Sequence, residues 1–214
     1  MTKRAKNLLG ISAGALTAFA LWTIAVCTID VQPIGPQGSQ VGLATLNRWV
    51  HDLTGVNFNL YNITDWLGLV PVGVGMGFAL LGLSQWIRRK NLSCVDSSIL
   101  LLGGFYTMVL AAYFLFEGFA INYRPVLIDG FLESSYPSST TLLVLCVMPT
   151  AALQLHRRIR HFGLRWCICG AIILFTVFMV AGRLLSGVHW VTDIIGGILL
   201  SAGLVTLYAA TIQA

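Results

Sequence analysis

Long apolar runs separated by short polar stretches dominate the chain. A bilayer core takes about 20 apolar residues of helix, and six runs are of that order: Leu8 to Ile29, Trp66 to Trp86, Ser97 to Phe116, Ser138 to Leu155, Leu164 to Val180, and Trp190 to Ile212. They predict an all-α fold, a polytopic bundle of six transmembrane helices in a single membrane domain over residues 1–214. The first run follows Lys3, Arg4 and Lys6 as a signal sequence would. Its apolar stretch is longer than a signal core and no small-residue cleavage site precedes Asp30, so it reads as a retained helix. In the stretch after it, Leu43, Leu46, Val50 and Leu53 recur at near-helical spacing beside Arg48 and Trp49. That pattern predicts a short amphipathic helix lying in the membrane interface, either as a ramp or lid or as a scaffold cap.

Composition agrees with the pattern. Of 214 residues, 57% are hydrophobic and 10% charged, too little charge for a water-exposed surface. The net charge of +5 does not point to nucleic acid, because the basic residues sit at the ends of apolar runs rather than in a patch interleaved with aromatics. Six alternating spans put Lys3, Arg4, Lys6, Arg88, Arg89, Lys90, Arg157, Arg158, Arg160 and Arg165 on one side. The other side has Arg48, Arg124 and Arg183 and every acid except Asp96. The positive-inside rule then makes both termini cytoplasmic and turns the loops Asp30 to Asp65, Glu117 to Pro137 and Ala181 to His189 outward from the cell membrane. His156 and His161 join the cytoplasmic basic run, where anionic lipid head groups are the expected partners, and His51 reads as an interfacial surface residue. The five cysteines lie in or beside apolar segments and read as buried free thiols.

The candidate chemistry lies in the outer loops. In the run from Arg183 through His189 to Asp193, a helix opening at His189 would put Asp193 one turn further on the same face. Asp193 would then accept a hydrogen bond from one ring nitrogen and leave the other neutral and nucleophilic. Arg183, across a short glycine-containing turn, offers a guanidinium fork suited to phosphate oxygens. The same spacing also fits a histidine and an aspartate that satisfy one another at a helix end while Arg183 meets lipid head groups. Pro137-Ser138 reads as a helix start whose free N–H groups favour an anion. No histidine or acid spacing suggests a metal site.

Arginine, five residues, histidine, three residues, aspartate resembles the third motif of the type 2 phosphatidic acid phosphatase superfamily. Arg124-Pro125 is similar to the end of that family's first motif and Pro137-Ser138 to the start of its second. The resemblance runs from Glu117 to Asp193. It implies a membrane lipid phosphatase in which His189 attacks phosphorus and water hydrolyses the phosphohistidine. Asp193 would support that histidine, Arg124 and Arg183 would neutralise phosphate oxygens, and Ser138, with Ser139 and Thr140 beside it, would bind the phosphate. No cofactor or metal is required in this scheme. The partners are the lipid phosphate substrate and membrane lipids.

Two positions depart from the family pattern. Glu117 stands where the first motif begins with lysine, and Ser139-Thr140 replaces the Gly-His of the second. An aliphatic hydroxyl has no useful acidity near neutral pH, so Thr140 does not replace the missing acid. Glu117 would replace it if a low-dielectric site keeps its carboxyl protonated; alternatively it forms an ion pair with Arg124 or Arg183. A lipid diphosphate releases a better leaving group than an alkoxide, which favours a polyprenyl diphosphate over phosphatidate-type monoesters. The surviving anion cradle also fits a noncatalytic lipid-phosphate-binding relative, and the same histidine would serve a lipid phosphotransferase.

Overall fold

The computed structural model describes residues 1–213. Eight α-helices follow one another: α1 (Lys3–Thr28), α2 (Ala44–Thr54), α3 (Phe58–Leu67), α4 (Leu69–Arg89), α5 (Ser97–Gly118), α6 (Ser139–Arg158), α7 (Phe162–Leu185) and α8 (Val191–Thr211). Six helical stretches are long and apolar enough to cross a membrane, with α3 and α4 together forming the second. α6 and α8 carry the largest buried share among these and form the centre of the bundle. α1 packs along α8, while α4, α5 and α7 pack on α6. The outward faces stay apolar, as lipid-facing helices require: Leu21 of α1, Leu80 of α4, Phe114 of α5 and Leu174 of α7 are all well exposed.

Several helix ends differ from the apolar runs. α1 begins at Lys3 and α6 continues to Arg158, because a helix includes its charged terminal turns, which hydropathy alone leaves out. α7 runs on to Leu185, so Arg183 belongs to its last turn and not to the turn that follows. The stretch before Trp66 is helical rather than loop: α3 occupies Phe58–Leu67 and meets α4 at Gly68. Asn57 starts α3, its side chain accepting the Leu60 N–H at 3.0 Å. The cysteines are all free, but of the five only Cys146 is buried, because Cys27, Cys94 and Cys167 lie on outward faces.

α2 forms at the expected place, Ala44–Thr54. Leu46, Trp49 and Leu53 point away from the protein, and the buried contact is polar. Asn47 donates to the Gly42 carbonyl at 2.8 Å and to Thr192 Oγ1 at 3.0 Å, and accepts the Thr192 N–H at 3.2 Å. This bond satisfies one of the free N–H groups at the start of α8. α2 therefore caps the bundle with its polar edge and turns its apolar face outward.

The stretch between α5 and α6 is a small hairpin. Ile128 and Phe131 exchange backbone hydrogen bonds at 3.1 and 2.9 Å around Asp129-Gly130, both with positive φ, as a type I′ turn demands. Further up the ribbon, the Arg124 N–H donates to the Glu133 carbonyl and the Ser135 N–H to the Asn122 carbonyl. At the opposite end of the bundle from this hairpin, Asp96 joins Arg89 and Arg158 at 3.5 and 3.2 Å, tying α4, α5 and α6. Between α4 and α5 lies an apolar cleft of about 710 Å³, whose walls include Gly75, Gly82, Gly103 and Leu143.

Candidate active site

Three chain segments meet at one end of the bundle: the hairpin, the N-terminus of α6, and the α7–α8 turn. Gly187 makes the turn possible. Its φ is +66°, and a side chain there would run into the Gly55 carbonyl, so α7 turns into α8 tightly against the α2–α3 connection. The Ser138 N–H donates to the Asp193 carbonyl at 3.1 Å, which docks the start of α6 on the start of α8.

His189 stands just ahead of the helix it was expected to open. Trp190 is the N-cap in extended conformation, and Asp193 caps the helix by accepting the Trp190 N–H at 2.9 Å. Because His189 lies outside the first turn, its ring is not stacked over Asp193. Nδ1 is 3.7 Å from Asp193 Oδ2, beyond hydrogen-bond range. The Ser135 hydroxyl fills the gap: it lies 3.1 Å from His189 Nδ1 and donates to Asp193 Oδ2. The expected direct His189–Asp193 bond is thus replaced by a three-residue chain. All three residues are buried.

The other ring nitrogen faces the arginine. Arg183 Nη2 is 3.4 Å from His189 Nε2. Burial first, and then the positive fields of Arg124 and Arg183, hold the His189 imidazole well below its ordinary pKa, so the ring is neutral. Both guanidiniums lie over the Tyr61 ring, Arg183 at 5.0 Å and Arg124 at 5.7 Å from its centroid. Their carboxylate partners are Glu133 for Arg124, with Nε and Oε2 at 3.1 Å, and Asp65 for Arg183, with Nη1 and Oδ1 at 3.4 Å. The Arg124–Glu133 pair is close but poorly aligned. Arg124 Nε and Nη1 and Arg183 Nε are buried and, among the described residues, donate no hydrogen bond.

The remaining expected residues are dispersed around this centre. Glu117, exposed at the end of α5, forms no ion pair with Arg124 or Arg183 among the described residues, whose partners are Glu133 and Asp65. It lines a cavity of about 10 Å³ together with Ser135 and Ser139. Ser138 is fully buried and accepts from Thr141 Oγ1 at 3.1 Å. Thr140 is directed toward Gly68, where α3 meets α4. Among the described residues, no hydrogen bond joins Ser138, Ser139 or Thr140 to Arg183 or His189. His51, expected as a surface residue, is half-buried with its ring 5.4 Å from that of Trp190.

Sequence reasoning missed Ser135, Tyr61 and Asp65. Asp129-Gly130 was the available signal for the hairpin that aims Ser135. No local pattern marks Tyr61 or Asp65, whose partner Arg183 is far along the chain.

A search of curated proteins gave no significant match. Among solved structures, the chain is similar to the crystal structure of the first transmembrane PAP2 type phosphatidylglycerolphosphate phosphatase from Bacillus subtilis, with a TM-score of 0.57 and 17% identity over 95% of each chain. At that identity the likeness speaks for the fold. The sequence profile of the PAP2 superfamily matches residues 104–214, a segment that includes the hairpin arginine, the start of α6 and the α7–α8 turn. With more than half of its length matched, the chain belongs to the PAP2 superfamily.

Proposed function

We propose that the protein is an integral membrane phosphatase that removes phosphate from a lipid phosphate through a phosphohistidine on His189. One observation carries this reading: His189 is buried, held at Nδ1 by the Ser135–Asp193 chain and turned at Nε2 toward Arg183, surroundings that favour the neutral ring. Neutral imidazole has the lone pair that attack on phosphorus needs. The buried, undonated N–H groups of Arg124 and Arg183 are suited to the equatorial oxygens of the transferring phosphoryl group.

In the first step the Nε2 lone pair forms a P–N bond as the P–O bond to the lipid breaks. The Nδ1–H, donating to Ser135, lets the growing imidazolium charge be stabilised by Asp193. In the second step water attacks phosphorus, the P–N bond breaks, and phosphate and a proton leave with His189 neutral again. The leaving oxygen of the first step takes up a proton, for which water is the donor, because Glu117 is exposed at the end of α5, outside the low-dielectric setting that the donor role requires. A lipid diphosphate reduces the need for that donor, since the departing lipid monophosphate is already a good leaving group, which favours a polyprenyl diphosphate substrate. The cleft between α4 and α5 has the size and apolar lining to take a hydrocarbon tail. The active site faces the side opposite the basic loops, outside the cell membrane.

The test is release of free phosphate by purified protein in detergent from a panel of lipid mono- and diphosphates. The parent releases phosphate and His189→Ala does not. Glu117→Gln, at an exposed position, retains most activity on both monoesters and diphosphates. Tight lipid-phosphate binding without release from any substrate points instead to a noncatalytic relative, and phosphate arriving on a second lipid to a transferase.

A further inference from the structure

α3 lies outside the segment matched by the family profile, yet it brings two side chains to the arginine pair. Tyr61 and Asp65 are four residues apart and so share one face of the helix. That face is pressed on α7 at Gly182, where an added Cβ would come within 2.7 Å of Thr64 Cγ2. The Asn57 N–H also donates to the Ser186 carbonyl at 2.9 Å, fixing the start of α3 to the end of α7. The result is a rigid platform: one Tyr61 ring under both guanidiniums, and Asp65 paired with the otherwise buried Arg183.

We propose that Asp65 is an internal counter-anion of Arg183 that an incoming phosphate has to displace, and that α3 thereby sets the phosphate affinity of the site. The inference rests on the assignment of Arg124 and Arg183 as a phosphate clamp. Arg183 is 1% exposed at its side chain, whereas Asp65 is 56% exposed. The guanidinium is therefore the fixed member of the pair, and the carboxylate is the one free to turn into water. With Arg124 on Glu133 and Arg183 on Asp65, two cations face two anions before substrate arrives. A phosphate dianion enters by taking over both guanidiniums, and loss of one competing carboxylate favours it. Tyr61 keeps the two guanidiniums aimed at one point during the exchange, because each stacks on its ring.

The measurement is calorimetric titration of detergent-solubilised protein with inorganic phosphate, for the parent, Asp65→Asn and Asp65→Glu, run beside lipid turnover. Asp65→Asn is expected to bind phosphate about three- to tenfold more tightly than the parent, and Asp65→Glu to return toward the parent value. Asp65→Ala serves as a second neutral variant if Asp65→Asn does not fold, with the same gain expected. Equal affinity in the parent and the neutral variants overturns the proposal even where turnover stands. Tighter binding in a neutral variant, with no turnover by the parent on any lipid, sinks the phosphatase reading and leaves Asp65 in its role. Absence of phosphate binding in every variant overturns the proposal, and together with no lipid turnover by the parent it sinks the phosphatase reading as well.

Discussion

At the residue scale, the position of Ser135 decides how His189 is held. The ring nitrogen and the carboxylate are 3.7 Å apart, and the serine hydroxyl joins them. Ser135→Ala leaves the Asp193 cap on Trp190 in place but removes the link to Nδ1. Turnover is expected to fall about 10- to 100-fold, as for other groups that orient a reacting histidine, with KM little changed. An equal loss in kcat and in thermal stability would mean that Ser135 only holds the hairpin to α8.

The protonation of His189 gives a second residue-scale prediction. Its depressed pKa means that the folded protein keeps the ring neutral as pH falls through about 6.5, where the unfolded chain takes up a proton. Its contribution to stability is therefore present above about pH 6.5 and declines below it, toward the depressed value. Among the four histidines, the ¹⁵N ring signals that vanish in His189→Gln should be those of neutral imidazole at pH 6. Imidazolium shifts at that pH would contradict the depressed value.

The spacing of Arg183, His189 and Asp193 was legible because these residues are neighbours along one turn. Even there, the sequence does not reveal that the helix starts at Val191, two residues after His189 and too late for the direct bond. Ser135 is 54 residues from His189 and Asp65 is 118 from Arg183. Such pairs are fixed by how helices dock, and no periodicity records them.

At the element scale, the apolar runs located the six spans because lipid imposes one pattern on every face it touches. α3 escaped because its apolar residues precede Trp66 among polar ones, and its helical state depends on an Asn57 cap and on docking to Gly182 of α7. α2 was visible as an amphipathic repeat, but its buried contact, Asn47, lies on the polar side. Asn47→Leu leaves the Thr192 N–H unsatisfied at the start of α8 and should cost about 1–3 kcal/mol, read as a lowered midpoint of thermal unfolding in detergent. An unchanged midpoint would remove α2 from the scaffold. The cleft makes a separate prediction. Gly103 lines the cleft and a Cβ there meets nothing within 4 Å, so Gly103→Phe would reduce the space open to a tail. Turnover of long-tailed lipids should drop severalfold while a short-chain phosphate is processed as before. A loss of equal size on both would mean that the tail binds elsewhere.

At the scale of the whole molecule, the basic residues and the candidate site lie at opposite ends of the bundle: Arg157, Arg158 and Arg160 at one end of α6, and Ser138 with the hairpin at the other. A membrane-impermeant maleimide should label Asp129→Cys in intact cells and Arg160→Cys only after lysis. The reverse pattern would put the site in the cytoplasm. The proposed function rests on the chemistry of one imidazole nitrogen. The most direct test is to react the purified protein with a lipid phosphate labelled with ³²P at the transferable phosphoryl group and quench in alkaline detergent. The parent should carry label that survives base and is released by acid, and His189→Ala should carry none. Label that persists in His189→Ala, or phosphate released by that variant at the parent rate, would contradict the phosphohistidine account.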